Sequence, residues 1–93
     1  MFALKLTGKL IKGTHMINEA AAENNDPALS FTDKLEQCLI SVCKQMDIPV
    51  PPWLGKNTRE FARFRRTFFF EEQFIEKVNF DRFEIRQIGS KNS

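Results

Sequence analysis

The sequence predicts an α+β domain: a three-stranded antiparallel sheet, formed by an N-terminal hairpin and a C-terminal strand, packed against three helices in the order ββααα-β. Three observations carry that expectation. Residues 2–12, FALKLTGKLIK, alternate between apolar and polar. Residues 30–47, SFTDKLEQCLISVCKQMD, repeat with a helical period. Residues 82–88, RFEIRQI, alternate again. The chain has 93 residues, 42% apolar and 28% charged, which suits one folded domain over 1–89 with a disordered tail at 90–93. A chain of this size buries roughly 60–65% of its unfolded surface, so its core is modest.

In the first strand, Phe2, Leu4, Leu6 and Leu10 share one parity, and Lys5, Thr7 and Lys9 take the other. Gly8 permits two registers. A turn at Gly8-Lys9 sets Lys5 against Lys12, a like-charge pair. The preferred register turns near Lys12-Gly13-Thr14 and returns over 14–23, with Leu10 opposite Ile17 and Leu6 opposite Ala21. It ends at the loop signal Asn24-Asn25-Asp26-Pro27. The weak strand propensity of Ala20-Ala21-Ala22 counts against it.

The 30–47 helix is the clearest element. Phe31, Leu35, Cys38, Leu39, Val42, Cys43 and Met46 trace one stripe, with Ile40 at its edge and Lys34 among the polar residues. Ser30 is placed to cap the first turn, Asp33 supports it, and Pro49 supplies the stop. The segment IPVPPW (48–53) reads as a stiff strap packed over this helix, and less readily as a proline-rich peptide ligand. A second helix is expected over 58–65, capped by Asn57 with Glu60 three residues on, and burying Phe61 and Phe64. Phe68-Phe69-Phe70 reads as a turn. A third helix is expected over 71–78, with Phe74, Ile75 and Val78 inward. The strand at 82–88 turns Phe83, Ile85 and Gln87 one way and Glu84 and Arg86 the other.

Residues able to do chemistry form no catalytic, cofactor-binding or metal-binding set. His15 stands alone at a turn, and with Cys38 and Cys43 it makes an incomplete ligand set for a structural zinc. The two cysteines point about 140° apart on a helix, a poor disulfide geometry, so they read as core thiols. Glu72 and Glu76 form an i,i+4 pair that reads as a solvated helix face. No run approaches the ~18 apolar residues of a membrane span, and no signal-peptide pattern opens the chain, so the cytoplasm is the expected compartment.

Two features suggest contact with something else. Ten Phe in so short a chain exceed what one core readily covers, with Phe68 and Phe69 as the candidate apolar interface. The segment 56–66 holds Lys56, Arg59, Arg63, Arg65 and Arg66 against Glu60 alone, whereas the whole chain carries a net charge of only +2. The leading expectation is a small non-enzymatic interaction or accessory domain whose partner is another protein or a second copy of itself. The alternative is nucleic-acid binding through 56–66, with these arginines pairing to Glu71, Glu72, Glu76, Asp81 or Glu84 as the bland reading. A small enzyme subunit, the third reading, requires His15, a cysteine or paired glutamates to converge on a pocket.

Overall fold

A computed structural model of the chain describes residues 4–88. Its elements in order are β1 (Leu4–Lys12), β2 (His15–Asn24), α1 (Phe31–Met46), α2 (Gly55–Phe64), β3 (Arg66–Phe70), a short 3-10 turn at Glu71–Gln73, and β4 (Arg82–Gln87). The strands form one antiparallel sheet in the order β2-β1-β4-β3. The fold is α+β, but among the described residues the sheet has four strands and the α-helices number two, which corrects the expected three and three. Phe2 and the tail at 90–93 lie outside the described residues.

The correction arises at one place. Residues 66–70 pair with β4, Thr67 opposite Ile85 and Phe69 opposite Phe83. Alternate strand residues face opposite sides, so the aromatic triplet needs no turn: Phe69 goes into the core while Phe68 and Phe70 point out. Residues 71–81 then become the connection from β3 back to β4, and the helix expected over 71–78 does not form. Phe74 and Phe80 meet edge to face at 5.2 Å and anchor this loop in the core, whereas Ile75, expected inward, is 93% exposed. Asp81 fastens the loop's end: Gly13 N–H donates to its Oδ2, its N–H donates to Ile11 O, and its carbonyl accepts from Glu71 N–H.

The hairpin turns at Gly13, which takes a positive φ of 63°, as the second register requires. Near the turn Ile11 opposes Met16, but the register shifts between Leu10 and Ile11, so Leu10 faces Asn18 and Leu6 faces Ala22. The expected partners were therefore off by one beyond a bulge at Ile17. The shift puts Ala20 and Ala22 on the core face, where their small side chains let α1 lie close.

Leu4, Leu6 and Leu10 of β1, with Phe83 and Ile85 of β4 and Phe69 of β3, line one face of the sheet and form one core cluster with both helices. From α1 come Cys38, Leu39, Val42, Cys43 and Met46. Lys34, assigned to the polar side, is buried as well, and Phe31 is exposed at the stripe's end. Ser30 Oγ accepts from Asp33 N–H at 3.2 Å, as its position suggested. The helix stops at Asp47, in the left-handed conformation, with Ile48 N–H donating to Cys43 O. Pro49 therefore follows a stop already made. Ile48 and Trp53 of the strap pack against the core while Val50 stays exposed.

Helix α2 starts earlier than expected, at Gly55, and Asn57 is not its cap. Asn57 is fully buried in the first turn. Its Oδ1 accepts from Leu54 N–H, and its Nδ2 donates to Thr67 Oγ1 (2.8 Å) and Phe68 O (3.1 Å). One side chain thereby ties the entry of the helix to the free edge of β3, where Lys56 Nζ also donates to Phe68 O and Phe70 N–H donates to Gln73 Oε1. Phe61 is buried, but Phe64, expected beside it, is 59% exposed.

Gly8 sits at the centre of β1 under α1. A Cβ there would lie 2.5 Å from Val42 Cγ1 and 2.8 Å from Phe83 Cε1. Gly8→Ala is expected to lower stability by about 1–3 kcal/mol in urea unfolding through overpacking. The double variant Gly8→Ala/Val42→Ala should lose less than the sum of the two singles, because both act on the same contact.

Candidate functional site

A groove of about 690 Å³ lies between the start of α1 and α2. That is within the roughly 300–1,000 Å³ of ordinary ligand sites. Phe31 and Leu35, one turn apart on α1, form one wall; Phe61 and Ala62 of α2 form the other, and Trp53 stands between them. The Trp53 ring meets Phe61 edge-on at 5.9 Å, and Phe31 lies 6.4 Å from Phe61. Trp53 Nε1–H donates to Thr58 Oγ1 at 2.8 Å, so its one polar group is satisfied and the ring meets the groove as an apolar surface.

Two polar residues end the groove. Arg65 follows α2 with φ 56°, the left-handed conformation that glycine ordinarily takes at this place. Its N–H donates to Phe61 O and its Nη1 to Ala62 O, which leaves most of the guanidinium donors uncommitted. Gln87 is its neighbour across the ladder, donating its N–H to Arg65 O at 2.9 Å. Gln87 Oε1 is buried with no hydrogen-bond partner. An unmade hydrogen bond at a buried acceptor costs about 1–3 kcal/mol.

The basic segment does not form one ridge. Lys56 Nζ is 3.9 Å from Glu60, Arg59 folds back beside Gly55, and Arg63 lies over Phe64. Arg65 turns to the groove. Arg66 lies on the opposite face of the sheet, its Nε 3.9 Å from Glu84 Oε2. The acids that meet this segment are therefore Glu60 and Glu84, not Glu71, Glu72 or Asp81. Phe69, a candidate interface residue, is wholly buried with its ring 5.7 Å from both Trp53 and Phe83, which removes it from any surface. Phe68 does face outward, stacked 6.3 Å from Phe70.

The groove was invisible in the sequence because its residues come from four separate segments: α1, the strap, α2 with Arg65 at its end, and β4. In the sequence Arg65 belongs to the basic run, and Gln87 has no distinguishing neighbour. His15 is exposed at the hairpin turn, while Cys38 and Cys43 are free and buried in the core, so the three do not meet. Among the described residues no group of three or more His, Cys, Asp or Glu could hold a metal ion, and no helix is long and apolar enough to cross a membrane.

Burial pushes the Cys43 thiol up to about 12, and burial, with a contribution from Glu23, raises that of Cys38. As pH rises, an unfolded chain gives up the Cys43 proton first, while the native state keeps it. Stability should therefore fall between about pH 9 and pH 12, by up to ~1.4 kcal/mol per pH unit for this thiol. Urea unfolding at about pH 8 and about pH 10 measures the slope, which should be shallower in Cys43→Ala. Comparison of the chain with models of known families, with curated proteins and with solved structures finds no match.

Proposed function

We propose that the chain is a non-enzymatic protein-interaction module whose groove holds the C-terminal end of a partner protein, with an apolar last side chain. The observation that carries this reading is Arg65, a non-glycine residue kept in a left-handed conformation at the end of an aromatic groove. The same conformation ends α1 at Asp47, so what is particular to Arg65 is the guanidinium it places at the end of the groove. Phe31, Trp53 and Phe61 suit an apolar side chain, and the Arg65 guanidinium suits a carboxylate. Gln87 Oε1 needs a donor, which a peptide's last amide N–H supplies and a fatty acid does not. In this reading the apolar contact expected at Phe68 and Phe69 is made instead by the groove walls Phe31, Trp53 and Phe61.

Trp53 is the only tryptophan and lines the groove, so its fluorescence reports occupancy directly. A short acetylated peptide ending in Leu-Phe with a free carboxylate should shift that emission on titration. The same peptide amidated at its C-terminus should bind at least about tenfold more weakly, the loss expected for one charge-assisted hydrogen bond. Arg65→Gly should remove the difference between the two peptides while melting no lower than wild type by more than about 1 kcal/mol, because glycine relieves the backbone. Equal binding of the free and amidated peptides would falsify the reading. Concentration-dependent self-association without added peptide would instead assign the groove to a second copy.

A further inference from the structure

The face of the sheet turned away from the helices carries a second surface. Its residues follow from the register. Thr7, Arg86 and Arg66 make one row across β1, β4 and β3; Lys9, Glu84 and Phe68 make the next; Ile11, Arg82 and Phe70 make the third. Both helices pack on the other side, so this face is open.

Its charge is uneven. On β1, Lys5 and Lys9 stand opposite Glu23 and Glu19 of β2, so that half of the face is balanced. On β4 and β3 there are three arginines and one carboxylate. Arg66 and Arg86 are directly paired across the ladder, a like-charge arrangement that is destabilising by itself. Glu84, only 8% exposed, moderates it: its Oε2 lies 3.5 Å from Arg86 Nη2 and 3.9 Å from Arg66 Nε. One carboxylate cannot occupy the donors of two guanidiniums.

The arginines are interleaved with aromatic rings. Arg66 Cζ lies 5.7 Å from the Phe68 ring centroid, and Phe68 stacks against Phe70 at 6.3 Å with 27° between the ring planes. Phe70 is 41% exposed, and Lys56 Nζ reaches round the edge of β3 to 5.3 Å from its ring. A core has no use for an exposed ring here. Flat rings beside guanidiniums that share a single carboxylate are complementary to a ligand that alternates π-faces with anions.

We propose that this open face binds single-stranded nucleic acid, with Phe70 and Phe68 stacking on bases and Arg66, Arg82 and Arg86 contacting phosphates. A duplex keeps its base faces inside and offers only phosphates, so the rings give a reason to prefer a single strand. An acidic polypeptide offers charge but no bases. This surface is on the opposite side of the sheet from the groove and does not depend on it.

The test is fluorescence anisotropy of labelled oligouridine and oligothymidine, about twelve nucleotides long, with a duplex of equal length and polyglutamate as competitor. Single strands should bind more tightly than the duplex. Affinity should fall about tenfold to twentyfold between about 50 and about 200 mM salt if three phosphates are neutralised. Phe70→Leu keeps an apolar side chain and removes the stacking ring; it should weaken single-strand binding by about fivefold or more with an unchanged melting curve. Glu84→Gln removes the carboxylate between the arginines and should tighten binding. Equal affinity for the duplex, full competition by polyglutamate, or an unchanged Kd in folded Phe70→Leu each overturns the proposal. So does the absence of single-strand binding at the lower salt.

Discussion

The approach of α1 to β1 at Gly8 is the contact on which the rest of the architecture depends. Val42 Cγ1 and Phe83 Cε1 occupy the space where any other residue would place a Cβ, so the helix can rest on the middle of the sheet only because that position is bare. The helix then brings Cys38, Leu39, Val42, Cys43 and Met46 down onto Leu4, Leu6 and Leu10 in a single cluster. The bulge at Ile17 serves the same approach from the side, since it presents Ala20 and Ala22 rather than larger residues to the helix. A glycine within a strand ordinarily weakens it. Here the packing that it permits outweighs that cost, because the alternative is to lift the helix from the sheet's centre and lose dense contacts along its whole buried face.

Elements whose periodicity is local were legible in the sequence. The α1 stripe, its Ser30 cap, the turn at Gly13 and the outward parity of Lys5, Lys9 and Arg86 follow from spacing alone. What was not legible depends on contacts made far along the chain. β3 is five residues whose strand character comes from pairing with β4, and RTFFF by itself carries no alternation of polarity to announce it. Once 66–70 is a strand, 71–81 must return the chain, and the helical pattern of EEQFIEKV yields to burying Phe74 and Phe80 together. Asn57 is a similar case. Its type and position suit a cap, but the acceptors that fix its role, Thr67 Oγ1 and Phe68 O, lie on a strand that was not foreseen.

The two candidate surfaces differed in the same way. The open face could have been assembled from residues already assigned outward on β1 and β4, because a shared sheet makes their alternation additive. Adding β3 supplies the rings and Arg66. The groove could not, because Phe31, Trp53, Phe61, Arg65 and Gln87 share no period and meet only through the packing of α2 against the sheet. Counting the charges in 56–66 suggested one basic segment. In the fold they are distributed among a helix surface, a groove end and a sheet face.

That distribution turns on two consecutive residues. Arg65 and Arg66 are adjacent in sequence, yet Arg65 lines the groove on the helix side while Arg66 lies beside Glu84 on the open side. Strand alternation would by itself send neighbours to opposite faces. The left-handed turn at Arg65 adds the change of direction that takes the chain from α2 straight into β3. A glycine would make that turn with less strain, but it would provide no guanidinium at the groove. The backbone conformation at this junction therefore does two things at once: it starts the strand that completes the sheet, and it aims two like charges at separate places. Anion recognition on either side of the sheet would then rest on the same short connection, with the hydrogen bond from Gln87 N–H to Arg65 O holding it against β4.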